Sequence, residues 1–145
     1  MPRPEREPTF LPLTIDATRA VARAMEHEPA LRVPADVVSR RAREANAAAA
    51  DCWVALLAGC DAPGCRNLPI RLRALSEATS DYAGMRWWLG RGSQHRHRVS
   101  RALERIEEAV AERDGADFAE AFVGYDQAVA AALVNAHSRL ETHAQ

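Results

Sequence analysis

The sequence predicts an all-α protein, an antiparallel helical bundle of about five helices behind an extended N-terminal segment. Apolar residues recur at steps of three and four through most of the chain. No period-two run of β-branched residues persists anywhere, so no sheet is expected. Turn residues fall between long uninterrupted stretches, three of the helices being long and joined by short connections.

Residues 1–13 hold Pro2, Pro4, Pro8 and Pro12 among arginines and glutamates. Proline removes backbone donors and disfavours helix at the preceding residue, so this stretch is expected to be extended or disordered, with 14–145 as one domain. Phe10, Leu11 and Leu13 form an apolar cluster within it, able to dock on a neighbouring surface. Thr14 or Asp16 is placed to cap a first helix that runs to about Glu28, where Pro29 stops it. A second helix is expected from Pro34 to Gly59, with Asp36 facing the dipole in its first turn. It carries Val38, Ala45, Cys52 and Leu56 inward, and from Asp51 to Ala58 it is almost wholly apolar. The third, over 68–89, shows the stripe Leu68, Leu72, Leu75, Ala78, Tyr82, Met85 and Leu89. The fourth, over 94–113, places Val99, Leu103, Ile106 and Val110 on one side. The fifth, over 116–141, has the cleanest repeat, with Phe118, Phe122, Tyr125, Val129, Ala132, Ala136 and Leu140.

Composition narrows the function by exclusion. All 19 basic residues are arginine, and alanine is the commonest residue, which weakens any inference from alanine alone. A net charge of −1 gives no global field toward nucleic acid or anionic lipid. No run approaches the ~20 apolar residues of a membrane span, and no leader opens the chain. Three cysteines, Cys52, Cys60 and Cys65, cannot all pair within one chain, so a reduced, cytoplasmic protein is expected. Cys52 then reads as a buried apolar residue, and Cys60 and Cys65 as incidental loop thiols.

No metal or other cofactor is expected. The cysteine spacing does not match the pairs of a zinc site, and His95 and His97, two apart on a helix, cannot chelate one ion. No phosphate loop, nucleophile elbow or paired catalytic carboxylates appear. The arginines 86, 91, 96, 98, 101 and 105 form a local positive cluster, followed by Glu104, Glu107 and Glu108, which reads as a solvated face with helix-side ion pairs.

The residues that invite a ligand are Asp51, Tyr82, Arg86, Tyr125 and His95. Asp51 precedes an apolar run where a carboxylate needs a partner. Arg86 stands one turn from Tyr82 and is placed to supply that partner to Asp51 or to bind an acidic ligand. Tyr125 lies on the buried stripe of the last helix, and His95 faces the bundle end. Met85 and Leu89 share that inward stripe, so Trp87 and Trp88 are not both expected in the core. That surplus, with Phe10–Leu13, predicts a homodimer. A small-molecule-binding domain acting as a sensor or accessory protein is therefore expected. A cofactor-free enzyme using the same residues and a protein–protein adaptor are the alternatives.

Two stretches carry a family resemblance. Ile106-Glu107-Glu108-Ala109-Val110-Ala111-Glu112-Arg113-Asp114 with Ala119-Glu120-Ala121-Phe122 has the cadence of a final helix pair. Asp51 to Leu75 reads as an Asp-bearing helix, short turn and Leu/Arg helix. Over about 50–135 the chain resembles the effector-binding C-terminal domain of FadR-type GntR regulators, the FCD fold; TetR-type ligand domains have similar composition. The resemblance implies a helical ligand pocket. The metal positions of that family fall here on Asp51, Ala55, Leu103 and Tyr125, of which the aspartate alone matches. Residues 1–49 contain no wing strands, so the resemblance implies a stand-alone, metal-free relative.

Overall fold

The structure is a computed structural model and describes residues 9–59 and 64–144, the last two by their backbone alone. Among them are six helices and no strand: α1 (Pro12–Ala24), α2 (Pro29–Ala58), α3 (Leu68–Ala83), α4 (Met85–Leu89), α5 (Ser93–Ala111) and α6 (Gly115–Ala144). The all-α bundle is therefore present, with one helix more than expected. Residues 1–8, the loop thiol Cys60 and the turn around it lie outside the described residues. None of the described helices is long and apolar enough to cross a membrane.

Successive long helices alternate in direction, as their short connections require. α6 is the central pillar, packed against α5, α1 and α3. Leu72 meets Tyr125 near the start of α3, and Ala83 meets Arg139 near its end, so α3 and α6 run parallel. The core between them holds Leu72, Leu75, Tyr82, Phe122, Tyr125, Val129 and Leu133, all buried. At ~25 cal/mol per Å² of apolar surface, each such side chain contributes about 1.5–3 kcal/mol.

The extended stretch ends at Leu11, earlier than the prolines predict. Leu11 is fully buried, and Phe10 packs against Trp53, Phe118 and Phe122 at ring separations of 5.3–5.8 Å. Two polar side chains hold this segment. Asn46 Oδ1 accepts from the Phe10 and Leu11 amides at 2.8 and 3.1 Å. The Asp126 carboxylate, itself buried, accepts from Leu13 N–H at 3.0 Å and Thr14 N–H at 2.8 Å. α1 has no cap of its own because its N-cap residue is Leu11. A carboxylate from α6 satisfies its free donors and complements its dipole.

α1 ends at Ala24, short of the expected Glu28, and Pro29 begins α2 instead of stopping α1, since a proline at the first position forgoes a donor the helix does not use. Pro34 consequently sits inside α2, where it removes one backbone bond. The predicted third helix is broken at Gly84, whose φ of +92° lies in a region side chains disfavour. The Ala83 carbonyl left at the break accepts from Arg139 Nη2 at 2.8 Å. The break resets the helical phase: Met85 and Leu89 are exposed, while Trp87 and Trp88 are both buried. The aromatic surplus that motivated a homodimer is thus housed within the chain.

The α5–α6 turn is built from its own sequence. Asp114 N–H reaches the Ala109 carbonyl and Arg113 N–H the Val110 carbonyl, the pairing of a Schellman closure. Asp114 Oδ1 then accepts from Asp117 N–H at 3.0 Å and caps α6.

Candidate functional site

The five ligand candidates occupy separate places. Tyr125 is fully buried, and its hydroxyl donates to the Leu72 carbonyl at 3.0 Å with Ser76 Oγ at 3.1 Å. Burial pushes this phenol well above its ordinary value. Tyr82 lies ten residues after Leu72 on α3, a helical rise of about 15 Å. Its hydroxyl meets His137 Nδ1 at 2.9 Å, and His137 Nε2 lies 3.2 Å from Glu141 Oε1. Burial first, then the Glu141 charge, push Tyr82 up to about 12. A phenol this hard to ionise pins α3 to α6 and supplies no nucleophile at neutral pH.

Arg86 follows the Gly84 break onto α4 and is exposed, and it does not line the groove that holds Asp51. His95, in the first turn of α5, stacks on Trp87 with ring centroids 5.7 Å apart. Its Nδ1 is buried without a hydrogen-bond partner, and burial, then Arg98, hold its pKa below 6.5.

Asp51 is exposed, in a groove of about 550 Å³ between α2 and α3. Glu44, Ala47, Ala48 and Val54 line its α2 wall, and Asn67 and Arg71 face them from α3 and its N-terminal side. Glu44 is neutralised, lying 2.7 Å from Arg41 and 2.8 Å from Arg71. Asp51, two turns further along, has no ion pair or side-chain hydrogen bond among the described residues. Two arginines share the Glu44 carboxylate, so Asp51 is the groove's one carboxylate without an ion pair among the described residues, and it stands beside an apolar wall.

Its end is rigid. Cys52 and Cys65 form a disulfide that ties α2 to the turn before α3. This corrects the expectation of an inert reduced Cys52 and an incidental loop thiol at Cys65: both sulfurs are buried and bonded to each other. Gly64 makes the approach possible, because a Cβ there would stand 2.9 Å from Ala55 Cβ and from the Asp51 carbonyl. Among the described residues no three His, Cys, Asp or Glu side chains converge as a metal-binding set.

Glu44, Asn67 and Arg71 carry no motif, and pairing Glu44 with Arg71 requires knowing that α2 and α3 are antiparallel. Asp126 does have a signal: it falls one turn after Phe122 on the core face of α6, where a carboxylate must find donors. No family model matches the chain, and neither a curated protein nor a solved structure shows a significant match to it.

Proposed function

We propose that this is a small-molecule-binding helical domain, a sensor or accessory protein, whose site is the α2–α3 groove and whose ligand is a small organic cation. The observation that carries the reading is the Asp51 carboxylate, without an ion pair among the described residues, in a cross-linked groove whose other carboxylate, Glu44, is held by two arginines. An ammonium or guanidinium group meets Asp51, and its hydrocarbon part lies on Ala47, Ala48 and Val54. Rigid walls favour binding because little conformational entropy is lost on occupation. The enzyme alternative loses its main support, since the Tyr82 and Tyr125 hydroxyls are engaged by protein groups. The disulfide favours an oxidising setting over the expected cytoplasmic one, where both thiols stay reduced.

A calorimetric screen of alkyl diamines, guanidines and matched carboxylates tests this reading. Cations are expected to bind, and Asp51→Asn to weaken them about tenfold, the loss of one charge-assisted hydrogen bond. Preference for carboxylates, or equal binding by Asp51→Asn, contradicts it.

A further inference from the structure

A second groove, of about 520 Å³, runs along the junction of α5 and α6. Ala102, Gly124, Ala128 and Ala131 form its floor, and Arg98, Arg101 and Arg105 stand along one rim. These arginines follow one another at three and four residues, a ladder spanning about 10 Å of helix. All three are exposed, and among the described residues none forms an ion pair or a side-chain hydrogen bond. Glu104 and Glu108 share their helix without pairing to them, and Glu107 is taken by Arg73 at 3.3 Å. The expected lacing of this face by helix-side ion pairs is therefore absent from the ladder. Like charges at this spacing repel one another; Glu104 and Glu108, three residues after Arg101 and Arg105, offset part of that repulsion, and an anionic partner offsets more.

We propose that the α5–α6 groove docks an acidic amphipathic helix of a partner protein. The groove is bounded by two helices of 19 and 30 residues, so it is straight over more than the ladder's length. Its floor is glycine and alanine, and a Cβ on Gly124 would meet nothing within 4 Å. A floor of this kind lets a third helix settle at the ~8–10 Å interaxial distance of packed helices. Carboxylates repeating once per turn along that helix then meet one arginine each. A compact anion needs donors that converge on a point, whereas these are strung along a line.

The test uses two labelled synthetic helices of roughly 18 residues, each with an alanine ridge. One is flanked by glutamate rows, the other by lysine in the same places. Anisotropy titrations compare the native chain with the triple variant Arg98→Glu, Arg101→Glu, Arg105→Glu and with Gly124→Leu, which fills the groove without touching charge. The acidic helix is expected to bind and the basic one not. Charge reversal should weaken binding by about tenfold or more, with a loss at raised salt, and Gly124→Leu should weaken it comparably. Should the triple variant unfold, Arg101→Glu alone should show a loss of about threefold. The proposal is overturned if the acidic helix fails to bind at about millimolar concentration. It is equally overturned if Gly124→Leu binds as tightly as the native chain, or if polyphosphate or a short DNA duplex binds more tightly with the same arginine dependence.

Discussion

Replacing Asp126 by alanine removes the cap that α6 provides to α1. The carboxylate holds two amides, Leu13 at 3.0 Å and Thr14 at 2.8 Å. Thr14 is fully buried, so water cannot replace the lost acceptor there, and its donor is left orphaned. A hydrogen bond to a charged group contributes about 1.5–3 kcal/mol, and an unsatisfied buried donor costs about 1–3 kcal/mol. Leu13 is half exposed, so its amide is partly rehydrated and adds about 1 kcal/mol. The first two figures measure the same loss at Thr14, so with Leu13 the sum is about 2–4 kcal/mol, or a fall in Tm of roughly 4–16 °C for a chain of this size. Asp126→Asn keeps one acceptor and should lose about half as much. Urea titration followed by circular dichroism reads the stability, and amide exchange locates the damage. Exchange should accelerate at Leu13, Thr14 and Ile15 before the rest of the bundle. A variant within about 0.5 kcal/mol of the native chain, or one that loses stability without faster exchange in α1, refutes the reasoning.

Opening the Cys52–Cys65 bond by the double change to serine should cost about 3 kcal/mol, the value for a loop of this length; equal denaturation midpoints under oxidising conditions contradict that. Gly84→Ala places a Cβ at φ +92° and should destabilise the fold by about 1 kcal/mol or more, whereas a raised Tm would show the break is not needed. His95 is held below 6.5 by burial and then by Arg98, so the folded chain binds fewer protons than the unfolded one near that pH. Stability should therefore fall as pH drops from about 7.5 to about 5.5. His95→Phe, which keeps a ring against Trp87, should flatten that slope, and parallel Tm profiles for the two proteins would rule the mechanism out.

The long helices are legible because their apolar residues recur at helical spacing, and Leu72, Ile106, Phe122 and Val129 take the buried places the stripes assign. What a single stripe cannot convey is a change of phase. Gly84 reads as one more helical residue until its backbone is seen, and that one position decides whether Trp87 or Met85 goes inward. Pro29 and Pro34 show a related ambiguity, since either suits a first helical position and α2 takes the earlier one. Of the candidate site, Asp51 alone lies in the groove. Glu44 and Arg71 are 27 residues apart and Cys52 and Cys65 are 13 apart, so their partnerships follow from tertiary approach and from no local motif. Tyr125 and Tyr82 were identifiable as buried hydroxyls needing partners, but the Leu72 carbonyl and His137 meet that need as readily as a ligand would.

The central claim is that the α2–α3 groove is a cation site centred on Asp51. Amide chemical-shift mapping of isotope-labelled protein during titration with an alkyl guanidine tests it most directly. The account predicts saturable shifts confined to Ala47, Ala48, Asp51, Val54, Gly64, Asn67 and Arg71, with the midpoint moved about tenfold higher by Asp51→Asn in a chain with native melting behaviour. Shifts spread evenly over exposed carboxylates, or unchanged in Asp51→Asn, would contradict it.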